Sequence, residues 1–115
     1  MGESVLLSVK KMLGIHQDDD SFDIDIILHI NSVISILMDL GINEVENQLV
    51  EDDTKTWSEL LGGRNDINYV KTYIYQKVRL MFDPPTSAAA IEAMQRSVSE
   101  LEWRICNNWR DTQHG

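Results

Sequence analysis

Asp83-Pro84-Pro85 constrains this chain more than any other feature, because it cuts a long run of helical spacing in two. Neither proline has an N–H to donate, and their rings clash with a preceding helical turn, so a helix that reaches Phe82 must stop there. Before the break, Ile67, Val70, Ile74, Val78 and Met81 form one stripe and predict a helix over 67–82. After it, Ile91, Met94, Val98, Leu101 and Ile105 follow the three-four-three-four spacing of a heptad seam, predicting a helix from near Ser87 to about Trp109. That stripe needs a neighbouring helix.

Two further helices are expected upstream. Val5, Leu6, Val9, Met12 and Leu13 predict a short one over 4–13, with Gly14 as its stop. The acids of Asp18-Asp19-Asp20-Ser21 then sit where a helix N-terminus offers free N–H groups, and Ile26, Ile27, Ile30, Val33, Ile34 and Leu37 make one face of a helix over 22–40 closed by Gly41. Ile24, Leu28 and Ile36 lie off that face, which predicts a helix packed on two sides. Between Ile42 and Asp66 the pattern weakens, apart from a short helix expected at 56–61 before Gly62-Gly63. A connection this long in a small domain is a candidate mobile or functional segment. The expectation is an all-α fold: one domain over 1–115, a small bundle of about four main helices with a long, loop-like connection between the second and third.

With 115 residues the chain has room for one modest core. Nineteen Asp and Glu against ten Lys and Arg give a net charge of −9, which repels duplex DNA and argues against a sequence-reading DNA binder. Cys106 is the single cysteine, so no internal disulfide is available, as suits a reducing compartment. No secretory signal is visible, and the longest stretch free of Asp, Glu, Lys and Arg, 26–38, is too short and polar to span a bilayer.

The candidate sites each have a plainer reading. Asp18, Asp19, Asp20, Asp23 and Asp25 supply oxygens suited to a divalent cation, but Phe22 breaks the calcium-loop pattern and no glycine follows, so helix capping and a solvated acidic face are expected instead. His29 is four residues after Asp25, within reach on one helical face, yet no further ligands occur at a recognisable spacing. Nucleophile elbows, phosphate loops, zinc-ligand pairs and dinucleotide fingerprints are missing from the sequence. No catalytic, cofactor-binding or metal-binding residues are therefore assigned. The last helix is more informative. At 100° per residue Trp103 falls about 140° from Val98, away from the core stripe. Arg96 and Arg110, seven residues before and after, extend an Arg-Trp-Arg line on that side. Trp and Arg are enriched at interface hot spots, although a loop such as 42–66 folding over Trp103 is the rival account. Tyr69, Tyr73 and Leu80 make a comparable second stripe on the preceding helix.

The segment Val70-Lys71-Thr72-Tyr73-Ile74-Tyr75-Gln76-Lys77-Val78-Arg79-Leu80-Met81-Phe82-Asp83-Pro84-Pro85, followed by a helix ending Glu100-Leu101-Glu102-Trp103-Arg104, resembles the head-tail connector proteins of tailed phages infecting Gram-positive bacteria. The opening Leu6-Leu7-Ser8-Val9-Lys10-Lys11-Met12-Leu13-Gly14-Ile15, leading into an acidic stretch, is similar to the start of the same family; only 42–66 falls outside the likeness. The resemblance implies a structural, non-enzymatic virion subunit. It would form a ring under the portal, commonly twelvefold, extend the DNA channel, and dock the next neck or tail protein. Its place is the virion neck, after assembly in the host cytoplasm. DNA would be a non-specific passenger, and no membrane is involved. Arg79, Asp83, Trp103 and Arg104 match recurring positions of that family. With Arg96 and Arg110 they are the protein-interface candidates. The rival from another class is a small acidic regulator that binds a host or phage protein through Trp103.

Overall fold

The computed structural model describes residues 3–42, 49–62 and 68–109, the last two as backbone only. In chain order the helices are α1 (Val5–Met12), α2 (Asp23–Asp39), α3 (Trp57–Leu61), α4 (Asn68–Phe82) and α5 (Ala88–Arg104), and α5 runs into one π-helical turn at Ile105–Trp109. The fold is all-α, with four main helices and a long connection between α2 and α4. Among the described residues the sole strand-like feature is an isolated bridge between Ser4 and Thr56.

Local chemistry sets the helix ends. Ser4 Oγ accepts from Leu7 N and caps α1, whose exit turns through Gly14 at φ 80°. Gly41, at φ 106°, follows the last turn of α2. Asp83 N donates to Arg79 O at 2.9 Å, the last turn before Pro84 ends the ladder, and Ser87 Oγ caps α5 by accepting from Ala90 N. The start of α2 differs from expectation: Phe22 occupies the cap position and none of the acids caps the helix through its side chain. Asp23 and Asp25 instead sit in the first turn, where their charge opposes the positive dipole end.

α4 is the central helix. Every residue from Tyr69 to Leu80 is buried or half-buried, and both α2 and α5 pack against it. Ile26, Ile30, Val33, Ile34 and Leu37 of α2 meet Val70, Tyr73, Ile74 and Val78 of α4 in one core, each burial of such a side chain contributing roughly 1.5–3 kcal/mol. Tyr73 therefore belongs to the core and not to a second exposed stripe; its hydroxyl donates to Glu102 Oε2 at 2.8 Å and ties α4 to α5. On α5 the stripe is buried only over Val98 and Leu101, with Ile105 beyond, while Ile91 and Met94 stay half-covered.

The long connection is docked in its described part. The Asn31 amide donates to Val50 O at 3.0 Å and accepts from Val50 N at 2.9 Å, so one side chain replaces a strand partner. Val5 N donates to Lys55 O and Trp57 N to Glu3 O, pairing the N-terminal residues with the entry to α3. Thr56 and Glu59 form a capping box at the start of that helix. Trp57, Leu60 and Leu61 are buried, and Trp57 Nε1 donates to Ser8 Oγ at 3.1 Å. The rest of the 42–66 segment read as a candidate mobile or functional one, 43–48 and 63–66, lies outside the described residues, as does Ile67 at the expected start of the next helix.

Sequence periodicity did not point to Lys10. Its side chain is 1% exposed, and its Nζ reaches Asp23 Oδ1 at 2.8 Å and Gln17 O at 3.1 Å. A buried ammonium is tolerated because a carboxylate and a carbonyl replace its water. These contacts fix the α1–α2 turn.

Candidate assembly surface

Trp103 stands on the outward side of α5, opposite Val98 and Leu101, and is 64% exposed. Among the described residues nothing folds over it, so the account in which 42–66 covers it does not hold for the described part, 49–62. Arg96 and Arg104 are exposed on the same helix, and Arg104 Nη2 lies 3.6 Å from Glu100 Oε1, four residues before it. Arg110 lies outside the described residues. The seven-residue argument that placed it beside Trp103 also loses its basis, because the π turn at Ile105–Trp109 winds at a different angle per residue from an α-helix.

Arg79 and Asp83 sit elsewhere, at the C-terminal end of α4. Arg79 Nη1 donates to Tyr75 Oη at 3.1 Å, and that bond, with Asp83 nearby, holds the guanidinium above its ordinary range. Asp83 borders an open groove with Leu13, Ile15, Phe22, His29 and Phe82. Phe22 meets Phe82 edge-on with ring centroids 5.5 Å apart, and His29 does so at 6.2 Å, with Asp25 lining the same groove. Five of the six interface candidates thus divide between two places, Arg79 and Asp83 at one end of α4 and Arg96, Trp103 and Arg104 on α5, while the sixth, Arg110, lies outside the described residues.

A third surface is carried by α2. Ile24 is 84% exposed and Leu28 63%, so of the three apolar residues noted off the core face these two are uncovered among the described residues, whereas Ile36 is half-buried against the core. Met38 and Leu49 are exposed as well. The signal was present in the sequence as apolar residues off the core face, but only the tertiary packing shows which of them stay uncovered.

The acids before α2 do not converge. The Ser21 hydroxyl and backbone N–H hold Asp19 below the usual carboxylate range, while Asp23 is engaged by Lys10. Among the described residues no group of three or more His, Cys, Asp or Glu is placed to hold a metal ion, and no helix is long and apolar enough to cross a membrane. The surfaces offered are aromatic, aliphatic and sparsely charged, which is the chemistry of protein docking.

Comparison with curated proteins and with solved structures gives no match. A family model described as "Phage connector protein" matches residues 5–111, a span that includes the 42–66 connection as well as the Phe82-Asp83-Pro84-Pro85 and Glu100-Leu101-Glu102-Trp103-Arg104 segments. That family is structural rather than enzymatic, it implies interaction with portal and tail proteins, and its place is the virion neck. With nearly the whole chain matched, this protein belongs to the phage connector protein family and is a structural head-tail connector.

Proposed function

We propose that this connector acts as one subunit of a ring under the portal, commonly of twelvefold symmetry, in a phage of a Gram-positive host. The ring assembles in the host cytoplasm, extends the DNA channel and presents a docking surface to the next neck or tail protein. The observation that carries the reading is the outward Trp103, flanked by Arg96 and Arg104 on a helix whose other side is already used by the core. A large aromatic left in water beside guanidinium groups suits an interface centre. The net charge of −9 supports a channel role, because an acidic wall lets DNA slide without sticking. Arg79, Asp83 and Arg110 are the remaining interface candidates.

Light scattering on the purified protein, alone and with a portal protein from the same genome, tests this. A ring that forms on the portal is the expected result, including from a protein that is monomeric alone. A chain that stays monomeric at every concentration with portal present overturns it.

A further inference from the structure

The outward side of α2 is unusual in a chain that carries a net charge of −9. Ile24, Ser35 and Leu28 fall within about 40° of one another around the helix, and Met38 extends the same arc. Ser32 Oγ donates to Leu28 O at 3.0 Å and Ser35 Oγ to Asn31 O at 3.3 Å, so both hydroxyls are turned back onto their own helix. The result is a low-polarity strip, with small serines between larger aliphatic side chains, that has acids at its margins: Asp25 in the first turn and Asp39 in the last. Ridges with small residues between them are what a protruding side chain packs into.

The complementary feature is on α5. Trp103 protrudes, and the exposed cationic side chains among the described residues are Lys11, Arg96 and Arg104, two of which flank it. Lys71 and Lys77 are turned toward Glu3 and Glu102 of the same chain, and Arg104 shares its charge with Glu100 at 3.6 Å in a pair that stays exposed. A second copy, equally acidic, is repelled from most of this surface but not where Arg96 and Arg104 face Asp25 and Asp39. Pairing α2 with α2 would set Asp25 and Asp39 against their own copies, so the same-face contact is disfavoured. Both surfaces face away from α4, and they are different patches. Contact between unlike patches is the head-to-tail kind that closes into rings.

We propose that the α2 strip of Ile24, Leu28 and Ser35 is the receiving surface for Trp103 of a second copy of this chain. The inference rests on the ring reading, and supplies the subunit contact that reading needs. Two serine-to-cysteine changes report on it without removing any side chain it invokes: Ser32→Cys on the strip and Ser99→Cys beside Trp103, in a Cys106→Ser background. Ser32 and Ser99 are both exposed. The full-length protein is mixed with portal and treated with a short bis-maleimide. The double variant is expected to give a ladder of linked subunits on a denaturing gel, and each single variant none. Separately, Leu28→Lys is expected to weaken subunit association about tenfold with an unchanged melting curve.

Linked dimers from Ser32→Cys alone mean that the strip meets itself, and overturn the proposal. Rings seen on the portal by electron microscopy without a ladder from the double variant overturn it while leaving the ring intact. No ring with the unmodified protein overturns both readings.

Discussion

Lys10 Nζ and Asp23 Oδ1 lie 2.8 Å apart across the turn between α1 and α2, with the lysine buried and the aspartate still partly in water. The two halves of such a pair are unequal. Asp23→Ala leaves a buried ammonium with only Gln17 O, and should destabilise the protein by about 2 kcal/mol, below the figure for a fully enclosed pair because Asp23 is partly solvated. Lys10→Met keeps the apolar stem and removes the charge, so it should cost less than about 1 kcal/mol. Urea denaturation of the two variants checks the order; equal losses would show that packing, not charge, holds the turn.

Asn31 performs for Val50 what a neighbouring strand would. Asn31→Ala removes both bonds and leaves the Val50 N–H and C=O without that partner, with an expected loss of about 1–3 kcal/mol. Hydrogen exchange at the Val50 amide should quicken in the variant while that of α4 stays slow. Uniform quickening across the chain would instead mean global destabilisation.

Tyr73 gives the protein an alkaline limit. Burial first, and then the hydrogen bond to Glu102, raise the phenol well above its ordinary value. A group whose folded value is raised contributes stability in full below the unfolded value, near pH 10, and loses it as pH climbs toward the folded value. Melting temperature should therefore fall above about pH 10, and Tyr73→Phe should flatten that fall while lowering stability at neutral pH by about 1 kcal/mol. An unchanged alkaline slope in Tyr73→Phe would assign the loss to other groups.

Trp103→Ala separates assembly from folding. An exposed side chain outside the core should change stability by no more than about 0.5 kcal/mol. If Trp103 anchors the proposed contact, subunit association on the portal should drop at least about tenfold. A variant that melts early would place Trp103 in the fold instead.

Acid should loosen the connection into α3. The Thr56 backbone N–H and hydroxyl depress Glu59, and the Thr54 hydroxyl and N–H depress Asp52. Depressed carboxylates contribute stability above their unfolded values, near pH 4, and lose it as pH falls through the folded ones. Backbone amide signals of 52–60 should shift below about pH 4, and Glu59→Gln should narrow that change.

The helices were legible because their causes are local. The Pro84-Pro85 break, the Ser4 and Ser87 caps and the glycines after α1 and α2 act within a turn of where they stand, and the apolar spacings of α2, α4 and α5 repeat within the helix itself. The outward position of Trp103 followed from 100° per residue for the same reason. The same rule does not extend to Arg110, which lies outside the described residues and follows a π turn at Ile105–Trp109.

What the sequence by itself determined was the set of helices, their breaks, and which side of each is apolar. The tertiary structure alone decided that α4 lies at the centre, that Tyr73 is core and bonded to Glu102, that Lys10 is enclosed with Asp23, and that Ile24, Leu28 and Trp103 are left in water. The physical reason is range. Backbone dihedrals and caps are settled by neighbours a few residues away, whereas burial is settled by whichever distant segment fills the space, and one apolar stripe looks the same in the sequence whether a helix of its own chain or of another copy covers it.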